Sequence, residues 1–198
     1  MLSRLRPSIS KIVRTAASTS IGIPREDGVL WERRAPFTPA QIQKFIENNK
    51  DVQVYVQPSK QRIFTEEEYE NVGAKIQEDI SHCDTIIGVK SVPVENLYNN
   101  KTYIFFSHTI KAQSYTMPLL DTCLDKDIRL IDYEKIQEHG IGNRLVAFGK
   151  WAGTVGAIDI CNAAGLRLLA MGFNTPFLNI SRAHNYTSVA KFVLGGRD

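Results

Sequence analysis

Hydrophobic and polar positions along this chain fall into short blocks whose period switches between two and about 3.6. Ile21-Gly22-Ile23 opens as a short apolar strand, and Val52-Gln53-Val54-Tyr55-Val56 alternates in the way of a half-buried one. Thr85–Val89 and Thr102–Phe106 are β-branched and aromatic runs that predict two buried strands, and Ile128-Arg129-Leu130-Ile131 predicts another. Helical stretches separate them. Thr38-Pro39-Ala40 sets a capping hydroxyl before a proline at the first helical position, predicting a helix to about Asn49. Thr65, followed three residues later by Glu68, starts a capped acidic helix that runs to a turn at Gly73. Met117–Leu124 reads as a further helix. Repeated alternation of strand and helix predicts an α/β fold, a parallel sheet flanked by helices.

From Trp151 to Gly172 apolar residues dominate over a length that could span a bilayer. Asp159, Asn162 and Arg167 make that crossing expensive, so the segment is expected to be a buried helix linking domains, with Gly153, Gly156 and Ala157 allowing close packing. The last dozen residues carry no strong element.

Composition changes the picture mainly at the N-terminus. The formal net charge is +3, but Arg4, Arg6, Lys11 and Arg14 all fall in the first twenty residues, and the rest is close to neutral. No basic patch with interleaved aromatics points to nucleic acid. Met1–Ser20 is cationic, rich in serine and threonine and free of acids, the composition of a mitochondrial transit peptide, and polar residues break every apolar run that a secretory signal would need. Cys83, Cys123 and Cys161 are odd in number and widely spaced, which indicates neither a disulfide framework nor a zinc site.

Chemistry concentrates where strands end. Lys90 follows the run Thr85–Val89, and His108 follows Thr102–Phe106. If those strands are parallel neighbours, both residues stand on the sheet edge where open α/β folds bind ligands. Lys111 nearby would crowd Lys90 and favour its neutral form, while an imidazole exchanges protons near neutral pH without help. No Gly-x-Gly-x-x-Gly stands between a strand and a helix anywhere in the chain.

Several motifs in order carry a resemblance to a family: Glu26…Trp31-Glu32-Arg33-Arg34-Ala35-Pro36-Phe37-Thr38-Pro39, Ile87-Gly88-Val89-Lys90, Phe106-Ser107-His108-Thr109-Ile110-Lys111-Ala112-Gln113, Ile131-Asp132-Tyr133-Glu134 and Val146–Gly153. The chain resembles the lysine–ketoglutarate reductase part of α-aminoadipic semialdehyde synthases, from about Ile21 to about Tyr186. More widely it is similar to saccharopine dehydrogenases and to the N-terminal domains of alanine dehydrogenase and transhydrogenase. The resemblance implies a Rossmann-like domain of that N-terminal type, lacking the second, dinucleotide-binding domain. Its divisions would be a transit peptide over 1–20, a substrate-side α/β domain over 21–150, and an interdomain helix with the start of the cofactor-domain region over 151–198.

The resemblance also implies roles. Lys90 and His108 match the acid/base pair of saccharopine dehydrogenases. Arg34 matches an arginine that holds a substrate carboxylate, a bidentate task that suits a guanidinium. Lys111 and Arg144 match cationic positions lining the same site, and Glu134 an acid that tunes its charge. One departure stands beside the lysine: saccharopine dehydrogenases place an acid there, and this chain has Ser91. The implied substrates are lysine and 2-oxoglutarate, the implied cofactor of the full-length enzyme is NADPH, and the implied location is the mitochondrial matrix. None of the cofactor is expected to bind this chain tightly, and a separate Rossmann domain is the implied partner. The rival expectation is a non-catalytic binding or regulatory module that keeps the pocket.

Overall fold

The computed structural model describes residues 19–140 and 142–186, together with Ser188. All but the last two residues of the expected transit peptide, and most of the last dozen residues, lie outside that range. Two compact units divide between Leu145 and Val146.

The first unit is built on a six-stranded sheet. In chain order its elements are β1 (Thr19–Ile23), α1 (Pro39–Asn48), β2 (Val52–Val56), α2 (Glu66–Glu70), β3 (Lys75–Ile76), β4 (Thr85–Lys90), β5 (Thr102–Phe106), α3 (Met117–Asp125) and β6 (Arg129–Asp132). Their spatial order is β3-β2-β1-β4-β5-β6, and each neighbouring pair is parallel. The order reverses between β1 and β4, which opens a crevice at the carboxyl ends of those two strands. The sheet with its flanking helices is the α/β architecture that the alternation predicts. β3 was not expected, because a strand of two residues carries no periodic signal.

Alternation explains the core. Ile23, Val54 and Val56 form one cluster with Ile42 of α1 and Tyr69 of α2. Ile86, Tyr103 and Phe105 form another with Leu119 and Cys123 of α3. Gly22 belongs between them: a Cβ there would stand 3.2 Å from Ile80 Cδ1 and 3.3 Å from Cys83, both in the second cluster. Successive strand residues face opposite sides, so Gly22 and Ile23 put the two clusters on opposite faces of β1. Both expected helix starts have their boxes. Thr38 Oγ1 accepts from Gln41 N while Gln41 Oε1 accepts from Thr38 N, and Thr65 and Glu68 repeat the pattern. Each such cap is worth about 1 kcal/mol.

The second unit is α4 (Lys150–Ala170) and the chain that returns along it. Gly165 lets that return approach closely: a Cβ there would lie 2.7 Å from the backbone carbon of Phe177. Asn162 Nδ2 donates to Ile180 O at 2.7 Å, and Asp159 Oδ1 accepts from Ala183 N at 2.8 Å. Two of the polar residues that argued against a membrane span, Asp159 and Asn162, thus hold the return segment. The expectation of a buried helix is corrected. Only Ile158 and Gly165 of α4 are buried, whereas Trp151, Val155, Ile160, Leu166 and Leu169 are exposed. A short irregular return covers one strip of a helix whose apolar residues lie all round it. No helix among the described residues is long and apolar enough to cross a membrane.

Candidate functional site

The carboxyl edge of the sheet collects the charged residues. Lys90 is the last residue of β4, one position inside the strand rather than past it, and it pairs in register with Phe106 of β5. His108 follows two residues after Phe106, so the pair expected for proton transfer stands at adjacent strand ends.

The backbone at Lys90 is held by a carboxylate from the loop after β1. Glu26 accepts from Val89 N at 2.5 Å and from Lys90 N at 2.8 Å. It is buried, with φ of +67°, a left-handed conformation that an L side chain adopts at a cost. Burial pushes its carboxyl above the usual range, and the two backbone donors pull the other way. Gly88 makes room for it, since a Cβ there would meet Glu26 Oε1 at 3.1 Å and Pro24 at 3.2 Å. Buried Arg62 ties down the same loop, donating to Pro24 O and Gln57 O at 3.1 Å each.

Arg34 does not stand alone. Its Nε and Nη2 donate to the two oxygens of Glu32 at 2.7 and 2.6 Å, and its backbone N reaches Glu32 Oε1 at 3.0 Å. Glu32 is buried, and the hydrogen bond from the Arg34 side chain holds its carboxyl below the ordinary value. The nearby positive charge of Lys90 adds to that effect. One guanidinium edge is thereby fixed on an internal acid, and Glu32 orients Arg34 for whatever its remaining edge meets.

At the ends of β5 and β6 a second group forms around Glu134. His108 Nδ1 lies 3.2 Å from Glu134 Oε2, while Lys111 Nζ and Arg144 Nη1 each lie 3.3 Å from Oε1. Lys111, expected to crowd Lys90, makes these contacts with Glu134 and a further one with His108 Nδ1 at 3.2 Å. Arg144 arrives because residues 137 and 144 form an antiparallel bridge that folds the chain back on β6. Hydrogen bonding from His108 is the largest influence holding Glu134 below the usual carboxylate range, with Lys111 adding to it. His108 Nδ1 has a choice here. Carrying a proton it donates to Glu134, and without one it accepts from Lys111. The arrangement can therefore pass a proton among imidazole, ammonium and carboxylate with little movement.

Asp132, the last residue of β6, is the strut beneath this group. Its Oδ2 accepts from Ser107 Oγ at 2.6 Å and His108 N at 3.0 Å, and its Oδ1 accepts from Glu134 N at 2.9 Å. It holds His108 in a left-handed conformation, φ +58°, and aims Glu134 across at it. The ring of Phe106 stacks on His108, with centroids 6.1 Å apart. Asp132, Glu26, Glu32 and Arg62 were missed as site residues by sequence reasoning. Glu26, Glu32 and Asp132 sat inside quoted motifs, and an acid closing a buried strand was the available signal for Asp132. His82 is an exposed turn residue whose ring stands edge-on to Tyr55 with centroids 4.5 Å apart.

A dinucleotide in such a sheet would seat on the loop after β1. In a Rossmann fold that turn offers glycine backbone and a free helix N-terminus to a pyrophosphate. Here it carries Glu26 and Asp27, and the α1 N-terminus is closed by its own capping box. These residues do not fit the group.

Comparison with known proteins places this geometry. The chain is 48% identical to the bovine mitochondrial α-aminoadipic semialdehyde synthase over 197 residues, covering 100% of this chain and 21% of that protein. An α-aminoadipic semialdehyde synthase of Arabidopsis thaliana is 42% identical over 86% of this chain and 16% of its own length. A saccharopine dehydrogenase (NAD+, L-lysine-forming) of Yarrowia lipolytica is 31% identical over 64% of this chain and 35% of its own. The chain thus spans about a fifth of the length of the first of these relatives. Among solved structures, an L-alanine dehydrogenase superposes with a TM-score of 0.54 at 15% identity, over 78% of this chain and 42% of that one. The family model for the alanine dehydrogenase/PNT N-terminal domain matches residues 22–155, a span that contains Arg34, Lys90, His108, Lys111, Glu134 and Arg144, and the chain belongs to that family.

Proposed function

We propose that this chain is the substrate-side domain of a mitochondrial lysine–ketoglutarate reductase, which condenses lysine with 2-oxoglutarate in lysine degradation. The observation that carries the reading is the pairing of β4 and β5, which sets Lys90 and His108 at neighbouring strand ends beside Lys111 and Arg144. The relatives named α-aminoadipic semialdehyde synthase and L-lysine-forming saccharopine dehydrogenase support the substrate class. Cattle, rat and mouse relatives are named mitochondrial, which supports a mitochondrial location; the matrix and a transit peptide over residues 1–20 are part of the proposal.

Arg34 and Arg144, with Lys111, hold the carboxylates of 2-oxoglutarate, bidentate where a guanidinium edge is offered. The amine of lysine attacks the keto carbon, a proton moves from nitrogen to oxygen, and water leaves to give an imine. Lys90 and His108 carry those protons, and Glu134 returns His108 to its starting state. Reduction of the imine needs NADPH, which supplies the hydride, and the residues after β1 do not fit it. A cofactor domain outside the described residues is part of the proposal. By itself the chain is expected to leave NADPH unoxidised in the presence of both substrates.

Calorimetry tests the binding half. 2-Oxoglutarate should bind the chain, and Arg34→Ala or Arg144→Ala should each weaken it by about tenfold, the loss of roughly one charged hydrogen bond. Heats equal to wild type in both variants would sink the assignment. When the chain is joined to a relative's cofactor domain, Lys90→Met and His108→Ala should each lower turnover by about a hundredfold or more.

A further inference from the structure

β4 and β5 do not pair one to one. Ile87 pairs with Ile104 and Lys90 with Phe106, three steps along β4 against two along β5. The extra residue makes a β-bulge at Gly88 and Val89, and a glycine inside a strand often marks one. Its consequence is a change of face. Side chains alternate along a strand, and paired residues share a side of the sheet. Evenly paired, Lys90 would stand level with Ser107 and share the face of Tyr103 and Phe105, which a core cluster fills. With the bulge it shares the face of Ile104 and Phe106, and the Phe106 ring stacks on His108.

A bulge takes backbone amides out of the ladder, and something must receive them. β1 does not. Its pairing with β4 ends at Gly22 and Ile86, and the carbonyls that follow are turned to other partners, Ile23 O to Gln57 N at 2.9 Å and Pro24 O to Arg62. Glu26 stands in for them. One of its oxygens accepts from Val89 N at 2.5 Å and the other from Lys90 N at 2.8 Å. Gly88 leaves the space this needs, since a Cβ there would press on Glu26 Oε1 at 3.1 Å.

We propose that Glu26 is the positioning residue for Lys90: its carboxylate holds the bulge that turns the lysine onto the face of Phe106, beside His108. It acts through the backbone of β4 and not as an acid or base. The use made of Lys90 rests on the condensation reading above, whereas the bulge and its support stand apart from it.

Through-space proton contacts in spectra of the full 198-residue chain test the geometry. In the wild type, the Lys90 side chain should give stronger contacts to the ring of Phe106 than to those of Tyr103 and Phe105. Glu26→Ala should abolish that preference while Ile87, which lies before the bulge, keeps its contacts to Ile104. Gly88→Ala retains the carboxylate and its charge but crowds it, and should lessen the same preference, which separates placement from charge. In the chain joined to a relative's cofactor domain, Glu26→Ala should lower kcat on the order of tenfold and leave the KM for 2-oxoglutarate within about twofold. Glu26→Gln, which keeps one acceptor oxygen, should recover part of kcat. An unaltered Lys90 preference in Glu26→Ala would overturn the positioning role. If that variant also loses the contacts between Ile87 and Ile104, Gly88→Ala decides, and an unaltered preference there overturns it. A lost preference with unchanged kcat would support the bulge and overturn the acid/base assignment of Lys90 instead.

Discussion

The two ends of the site handle charge in opposite ways. At the β1/β4 end, carboxylates are buried and each is committed: Glu26 to two backbone amides, Glu32 to the Arg34 fork. At the β5/β6 end a single carboxylate, Glu134, gathers His108, Lys111 and Arg144 from different stretches of chain, with Lys111 and Arg144 side chains about half exposed. The first arrangement fixes geometry, because moving either acid strands buried donors. The second gathers charge that water still reaches, because the Lys111 and Arg144 side chains paired with Glu134 are about half exposed.

The sharpest way to break this contrast is at the strut beneath the second group. Asp132→Ala should destabilise the chain by about 3 kcal/mol, since Ser107 Oγ, His108 N and Glu134 N all lose an acceptor. Urea unfolding reads that loss. An effect no larger than that of Glu134→Ala would mean the strut is dispensable.

Glu26→Ala comes next, at about 2 kcal/mol, because the Val89 and Lys90 amides are left without their acceptor. Glu26→Gln carries the pH test. Burial raises the Glu26 carboxyl in the fold, so the folded chain holds its proton more tightly than the unfolded one. Its contribution to stability therefore falls as pH rises from the ordinary carboxylate value through the raised one. The glutamine variant should lose that slope in urea midpoints measured across the range.

Glu32 and Glu134 slope the other way. Both are lowered in the fold, so the stability they provide is present above the ordinary carboxylate value and lost as pH falls through the folded one. Glu32→Gln should flatten the acid limb more than Glu134→Gln, since Glu32 is more deeply held. Equal flattening would erase the distinction between the two ends.

Smallest is the salt effect. Raising salt from about 0.1 M to about 1 M shortens the screening length about threefold, which should weaken the half-exposed pairs on Glu134 by less than about 1 kcal/mol. The Arg34–Glu32 pair should change less. Comparing the salt dependence of the two glutamine variants checks this.

The sheet was legible because Val54/Val56 and Tyr103/Phe105 alternate so clearly, and the caps were legible because Thr38-Pro39 and Thr65…Glu68 have few other uses. α4 was misjudged because an apolar stretch reports a wish for burial and not its fulfilment. At the site, strand-end positions flagged Lys90 and His108, and the family resemblance added Arg34, Lys111, Glu134 and Arg144. Hidden from both was which acid holds which cation. Glu32 and Arg34 are two positions apart on an irregular segment, where no periodicity says whether side chains meet, and Asp132 lies 25 residues from Ser107.

The place of β1 in the sheet bears on how the protein is made. It is a central strand, yet β4, which flanks it, pairs Thr85 with Ile21 and Ile86 with Gly22 across more than sixty residues. During synthesis β2 reaches the ribosome exit first and can zip onto one side, leaving the other flank of Ile21–Ile23 an open template until β4 emerges. A nascent chain stalled before β4 thus leaves that strand edge open to pairing with a neighbour.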